Sequence, residues 1–242
     1  MLRVFNSGSW PAVGGEIVLD TAESSHLVRV RRARVGEAVE VLDGRGGVAE
    51  GIVAVDNAKA ARVKVQKITR HPAPVPRVLA VGLPKGDVFT EIVRQATELG
   101  ATGVQPLLTA RTEVRFAADR AEHKLERWRS AALEACKQSG NPWLPEIFAP
   151  VELEKWLKGL PKNFDEHRLV AALVPYTVKL SSLVPPRSNP PTLVCIGPEG
   201  DFSPEEYDLF RKAGFIAVRL PGHVLRVETA CAGALVVINS KS

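Results

Sequence analysis

The residues best placed to do chemistry lie in two loops near the C-terminal end of the 242-residue chain. The first, Gly197-Pro198-Glu199-Gly200-Asp201, follows the apolar run from Leu193 to Ile196. The second, Pro221-Gly222-His223-Val224-Leu225-Arg226, follows the apolar run from Phe215 to Leu220 and leads into Val227-Glu228-Thr229-Ala230. An apolar strand that stops at a Gly/Pro loop and is followed by a helix, twice over, is the pattern of a ligand crevice at strand ends in an α/β sheet. Glycines around Pro198-Glu199 let backbone approach a neighbour with no side chain between them. Glu199 then either caps a nearby backbone N–H or orients a ligand or a partner loop. In the second loop Arg226 and Glu228 flank Val227, which puts a cation and a carboxylate side by side, and Glu228-Thr229 is also a candidate cap for the last helix. His223 is a lesser candidate in the same loop.

The other ingredients of common sites are missing. Lys85-Gly86 resembles part of a phosphate loop, but neither GxxxxGK[ST] nor GxGxxG occurs, which disfavours Walker-type nucleotide hydrolysis and a Rossmann dinucleotide site. Cys136, Cys195 and Cys231 are odd in number, far apart and set among apolar or small neighbours. No metal site is expected from them, no disulfide framework is possible, and they read as buried thiols.

The elements that must position the two loops alternate strand and helix. From Val78 onward the pattern runs strand to Leu83, helix from Phe89 to Leu99 closed by Gly100, strand from Gly103, a long basic helix from Arg120 to Ser139, a short helix from Leu153, a strand from Arg168 to Val174, a Pro-rich loop from Pro185 to Pro191, and the two loop regions. Repeated βαβ units imply a parallel sheet with helices on both faces. Ser203 with Glu206 makes a capping box and Pro204 suits a first helical position, so that half of the first loop region is structural. Ala230, Ala232, Gly233 and Ala234 leave the last helix little bulk, so another backbone, a ligand or a second subunit can lie close to it.

Residues 1–71 have a different texture. Short alternating strands around Val39, Val48 to Val55 and Arg62 to Ile68, joined by tight turns such as Asp43-Gly44, argue for a small β-barrel. A short helix opened by a serine cap at Ser24 precedes them and carries Arg29, Arg31, Arg32 and Arg34, which either grip phosphates or form a solvated face. Alternate prolines at Pro72, Pro74 and Pro76 stiffen a linker, so domains are expected at 1–71 and 77–242. A 45% hydrophobic composition supports a real core, and the net charge of +5 suits nucleic acid without establishing it. No apolar run approaches a membrane span and the first residues lack a signal-peptide core, so a soluble cytoplasmic protein is expected.

IGPEGDFSPEE followed by LPGHVLRVETA closely resembles the bacterial 16S ribosomal RNA (uracil-N3)-methyltransferase family of the SPOUT class. The likeness extends over LPKGDVFTEIVRQATELGA, ERWRSAALEACKQSGNPWLPEI and HLVRVRRARVGEAVEVLDGRG, and so covers nearly the whole chain. Three positions depart from it: Asp201 stands where many members have glycine, Gln95 where lysine is frequent, and Asn141 where a basic residue is common. The resemblance implies a small N-terminal PUA-like β-barrel that helps hold RNA, followed by a SPOUT α/β domain with a C-terminal trefoil knot. It implies S-adenosylmethionine held bent among three loops: Leu173, Val174 and Pro175; Ile196, Gly197, Pro198, Glu199 and Gly200; and Leu220, Gly222, Leu225, Thr229 and Ala230. Arg226 would stabilise or orient the reacting base, with Glu228 or Glu199 beside it. Arg29, Arg31, Arg32, Arg34, Lys85, Arg111, Lys124 and Arg127 are the expected RNA contacts. The implied substrate is a uridine of 16S rRNA in the small ribosomal subunit or its late precursor, and the implied assembly is a homodimer.

Overall fold

The computed structural model describes residues 1–112, 118–161, 166–183 and 190–240. Part of the Pro-rich loop expected after Leu183 lies outside them. Contacts divide the chain into two compact units: residues 1–74 with 133–144, and residues 75–132 with 145–242.

The first unit contains β1 (Leu2–Phe5), β2 (Glu16–Val18), a short helix α1 (Thr21–Ser25), β3 (Ala38–Leu42), β4 (Gly47–Val55) and β5 (Arg62–Arg70). They form one sheet in the order β1-β3-β4-β5-β2, antiparallel except for β1 against β3. In β4 every second residue is buried, the period of a strand with one wet face. Register shifts at Glu50/Gly51 and Val53/Val55 bend that strand, as bulges do, around a core that includes Val4, Leu27, Val41, Val53 and Val63. The helix start differs from the expectation. Asp20 is the cap, its carboxylate accepting from Glu23 N, whereas Ser24 is buried, donates to Leu19 O and accepts from Ala61 N. A π-helical turn, His26–Val30, follows, and Arg32 then adopts a left-handed φ of 58°. Lys137, a cation of the long basic helix that ends at Ser139, is buried. It is ion-paired with Glu23 at 2.8 Å and with Glu134 at 2.6 Å, because a charge removed from water is retained only with partners.

The second unit contains β6 (Arg77–Gly82), α2 (Val88–Glu98), β7 (Gly103–Leu108), β8 (Glu146–Ile147), β9 (Val151–Glu152), α4 (Leu153–Gly159), β10 (His167–Ala171), β11 (Val178–Lys179), α5 (Leu180–Leu183), β12 (Thr192–Ile196), α6 (Pro204–Lys212), β13 (Ile216–Arg219) and α7 (Val227–Asn239). The long helix α3 (Ala118–Ser139) begins in this unit, and its last turns belong to the first. The sheet runs β11-β13-β10-β12-β6-β7-β8 with β9 also on β7, and every pairing is parallel. Strand β12 is buried at all five positions, as expected of a central strand covered on both faces. On one face Phe89, Ile92 and Val93 of α2 pack with Cys231, Ala234 and Leu235 of α7. On the other, Leu153 and Leu157 of α4 pack with Phe202, Phe210 and Phe215. With helices on both faces, the free ends of β10, β12 and β13 are where loops can converge.

Candidate active site

Three loops leave the carboxyl ends of adjacent strands β12, β10 and β13 and enclose a cavity of about 710 Å3. That volume is within the range of about 300–1,000 Å3 usual for small-molecule sites.

The loop after β12 is folded onto itself and tied to its surroundings. Asp201 N donates to Pro198 O at 2.9 Å, which closes a tight turn, and Asp201 holds a left-handed φ of 61°. A side chain at Gly197 would have its Cβ 2.9 Å from Asp201 Oδ1, so glycine there is required by the turn itself. The phenol of Tyr207 donates to Asp201 Oδ1 at 2.8 Å, and burial together with that carboxylate pushes its pKa far above the ordinary range. Glu199 accepts from Lys85 N at 3.0 Å and so clamps the turn before α2. The expected capping box is present: Ser203 caps Glu206 N, and Glu206 Oε2 accepts from Ser203 N at 2.8 Å. The other oxygen of Glu206 accepts from Ala110 N at 2.8 Å, reaching the loop after β7.

The loop after β13 is the opposite. Gly222 has φ 96°, Arg226 is the helix cap by backbone conformation, and no side-chain cap bond forms, so Glu228-Thr229 does not cap α7. Arg226 is exposed and Glu228 half-buried, and neither has a hydrogen bond or ion pair among the described residues, although both line the cavity. Burial, with Glu228 adding to it, pushes the Cys231 thiol pKa well up, so that thiol stays protonated and inert.

Leu173, Ile196, Gly197, Pro198, Glu199, Leu220, Gly222, Leu225, Arg226, Glu228 and Ala230 come together on the cavity wall as expected. Val174, Pro175, Gly200 and Thr229 are not part of it. Strand β10 ends at Ala171, earlier than expected, so Ala171 and Ala172 meet the cavity and the chain has turned away by Val174. Gly200 faces Arg111, whose side chain would lie 3.3 Å from an added Cβ and whose guanidinium donates to Gly200 O at 2.5 Å. Val88, Arg219 and Val227 line the cavity without having been anticipated, and Asp201, Val224 and the lesser candidate His223, all members of the two loops, join them.

The expected RNA contacts divide by partner. Arg29, Arg31 and Arg32 are exposed, and Arg34 is exposed with only a 3.9 Å approach to Asp56. In the second unit Arg127 pairs with Asp87 at 2.8 Å, holding that carboxyl below its usual range, with Lys124 contributing. Arg111 is engaged with Gly200 as above, and Lys85 is exposed. Among the described residues no cluster of His, Cys, Asp and Glu could hold a metal ion, and no helix is long and apolar enough to cross a membrane.

The family model described as RNA methyltransferase domain matches residues 71–239, and that described as RNA methyltransferase PUA domain matches residues 19–66. The ribosomal RNA small subunit methyltransferase E of Synechocystis is 34% identical over 93% of this chain and 73% of its own length. The protein of the same name from Mycobacterium bovis is 29% identical over 96% and 89%. Among solved structures, the ribosomal RNA small subunit methyltransferase E of Neisseria gonorrhoeae bound to S-adenosylmethionine superposes with a TM-score of 0.88 at 25% identity, covering 99% of this chain and 97% of that one. A methyltransferase from Legionella pneumophila, also in complex with S-adenosylmethionine, gives 0.86 at 25% identity over 99% and 97%. The N-terminal unit is accordingly PUA-like and the parallel-sheet unit is a methyltransferase domain, and the chain belongs to the ribosomal RNA small subunit methyltransferase E family.

Proposed function

We propose that this chain transfers a methyl group from S-adenosylmethionine to N3 of a uridine in 16S rRNA, within the small ribosomal subunit or its late precursor. The observation that carries the reading is the cavity at the ends of β10, β12 and β13, with Arg226 and Glu228 on its wall and unpartnered among the described residues. The wall suits the donor: apolar Ile196, Leu220 and Leu225 offer contacts to a flat ring, Gly197 meets the cavity without a side chain, and Glu228 offers a carboxylate to a cationic molecule. When bound, S-adenosylmethionine supplies an electrophilic methyl on a sulfonium, and positioning is the protein's main lever.

Uridine N3 carries a weakly acidic proton on the pairing edge, so the base must be unpaired or flipped out. Arg226 stabilises the negative charge that grows on the base as the proton leaves, an electrostatic role. Glu228 is the carboxylate on the same wall able to accept that proton or to orient Arg226, and Glu199 braces the opposite loop. Residues 1–71, with Arg29, Arg31, Arg32 and Arg34, contribute RNA affinity, and residues 77–242 hold the donor.

The family resemblance further supports a C-terminal trefoil knot around α7, a homodimer and a cytoplasmic setting. Light scattering of the purified chain tests the dimer. Faster refolding from denaturant than first folding of newly synthesised chain is the expected mark of a knot that stays tied. The central test is incubation of small-subunit particles lacking this modification with labelled donor, followed by mass analysis of nucleosides. N3-methyluridine in the 16S rRNA is expected, and a methyl group on another base or on tRNA would sink the proposal.

A further inference from the structure

At the outer edge of the parallel sheet, β11 and β13 pair so that Val178 faces Val218 and Lys179 faces Arg219. Residues in register on neighbouring parallel strands project from the same face at a spacing of about 4.8 Å. Lys179 and Arg219 are therefore two cations held side by side. Both are exposed, and neither has an ion pair or side-chain hydrogen bond among the described residues. Like charges directly opposite one another weaken a strand pair, and this pair is only two residues long. Folding does not account for the arrangement, because an acidic or neutral residue at either position would hold the edge better.

The pair sits beside the cavity. Arg219 is on its wall, while Lys179 lies beyond it. Leading up to β11, between Leu173 of the rim and Val178, Tyr176 is 69% exposed. Tyr176 lies close to Lys179 along the chain, and an exposed aromatic combined with adjacent cations is the means by which a single nucleic-acid strand is held, with phosphate on the cations and a base on the ring.

Resting on the methyltransferase reading above, we infer that the β11–β13 edge is a docking track for the unpaired RNA flanking the target nucleotide. Lys179 and Arg219 take one backbone phosphate between them, and Tyr176 stacks a neighbouring base. Such a track keeps a flipped base at the cavity mouth, where unpairing alone would leave it free to return to the stack. The phosphate belongs to RNA and not to the donor, whose only anion is a carboxylate, because the pair extends outside the cavity that encloses the donor.

The test uses the full chain, a short uridine-containing single-stranded RNA titrated over a range of salt, and calorimetry with S-adenosylmethionine. The double variant Lys179→Ala with Arg219→Ala should bind RNA about ten-fold more weakly. Its slope of log affinity against log salt should shrink by about 0.7, since one phosphate fewer is neutralised on binding. In the single variant Lys179→Ala, whose residue lies beyond the cavity, donor affinity should stay at the unmodified value. Lys179→Arg with Arg219→Lys should restore the slope, and Tyr176→Ser should weaken RNA binding with the slope intact while Tyr176→Phe does not. An unchanged slope in the double variant overturns the track, and so does a fall in donor affinity in Lys179→Ala that parallels its loss of RNA binding, which would assign that cation to the donor's carboxylate. If the unmodified chain binds neither donor nor RNA, the methyltransferase reading itself fails and the track with it. If it methylates while the variants match it in RNA binding, only the track fails.

Discussion

The two loops that face each other across the cavity are built on opposite plans. Between Gly197 and Glu206 nearly every polar group is engaged: Glu199 holds Lys85 N, Asp201 holds Tyr207, Glu206 holds both Ser203 N and Ala110 N, and Gly200 O is held by Arg111. Between Leu220 and Glu228 the backbone turns on Gly222, and the charged side chains lining the cavity have no partners among the described residues. One loop is a frame and the other holds the available chemistry. A group already bonded to its own protein must break that bond to serve a substrate, whereas an unpartnered guanidinium at a cavity wall can meet the transition state at no such cost.

The contrast can be broken most severely at Arg226. Arg226→Ala should lower turnover by about 10²- to 10³-fold, the usual loss when one preorganised donor is removed, with donor affinity within about two-fold by calorimetry. Near-normal turnover would remove Arg226 from the chemistry. Next comes Gly197→Val, which drives a side chain into Asp201. It should cost about 1–3 kcal/mol of stability from overpacking and abolish measurable donor binding, while Gly222→Ala on the second loop should perturb RNA turnover more than donor affinity. Glu206→Gln leaves one of two part-buried backbone donors facing an amide N–H, and denaturant unfolding should show about 1 kcal/mol lost with a raised KM for the donor and little change in kcat.

Glu199→Ala releases the turn before α2 from an exposed site. A KM rise of a few-fold is expected, in line with a loss of about 1 kcal/mol, and a loss as large as that of Arg226→Ala would make Glu199 part of the chemistry and not of the frame. The smallest effect concerns pH. The folded-state pKa of Tyr207 is raised, by burial first and by Asp201 second. Its stabilising contribution is therefore fully present below the unfolded-state value of about 10 and is lost as pH rises from there through the raised folded value. Donor affinity should show no step attributable to Tyr207 between neutral pH and about 10, and Tyr207→Phe should lower affinity without introducing one.

Much of the frame is legible in the sequence because its signals are local. The capping box from Ser203 to Glu206, the proline at the first helical position and the apolar run Leu193 to Ile196 of β12 depend on residues a few positions apart, and each forms as expected. The parallel sheet is legible for the same reason, since strand and helix periods alternate along the chain. Expectation and structure part where a distant partner decides. Ser24 looks like a cap from its neighbours, but Asp20 competes for that role and Ser24 is buried against Ala61. Lys137 is one of several cations on its helix, but its partner Glu23 comes from far along the chain. Gly200 looks like a donor contact, yet the side chain that needs its missing Cβ is Arg111, from the loop after another strand.

By itself, then, the order of residues determined the strand–helix alternation, the two Gly/Pro loops and the membership of the family, all of which rest on short-range spacing and on motif composition. The tertiary structure alone decided which loop is rigid and which is available. That depends on whether a hydrogen-bond partner from the loop after β7, the turn before α2 or helix α6 reaches a given carbonyl or carboxylate, and no residue's identity states who its neighbour across the sheet will be. Only the register of β11 on β13 set Lys179 beside Arg219, forty residues apart along the chain and adjacent in space.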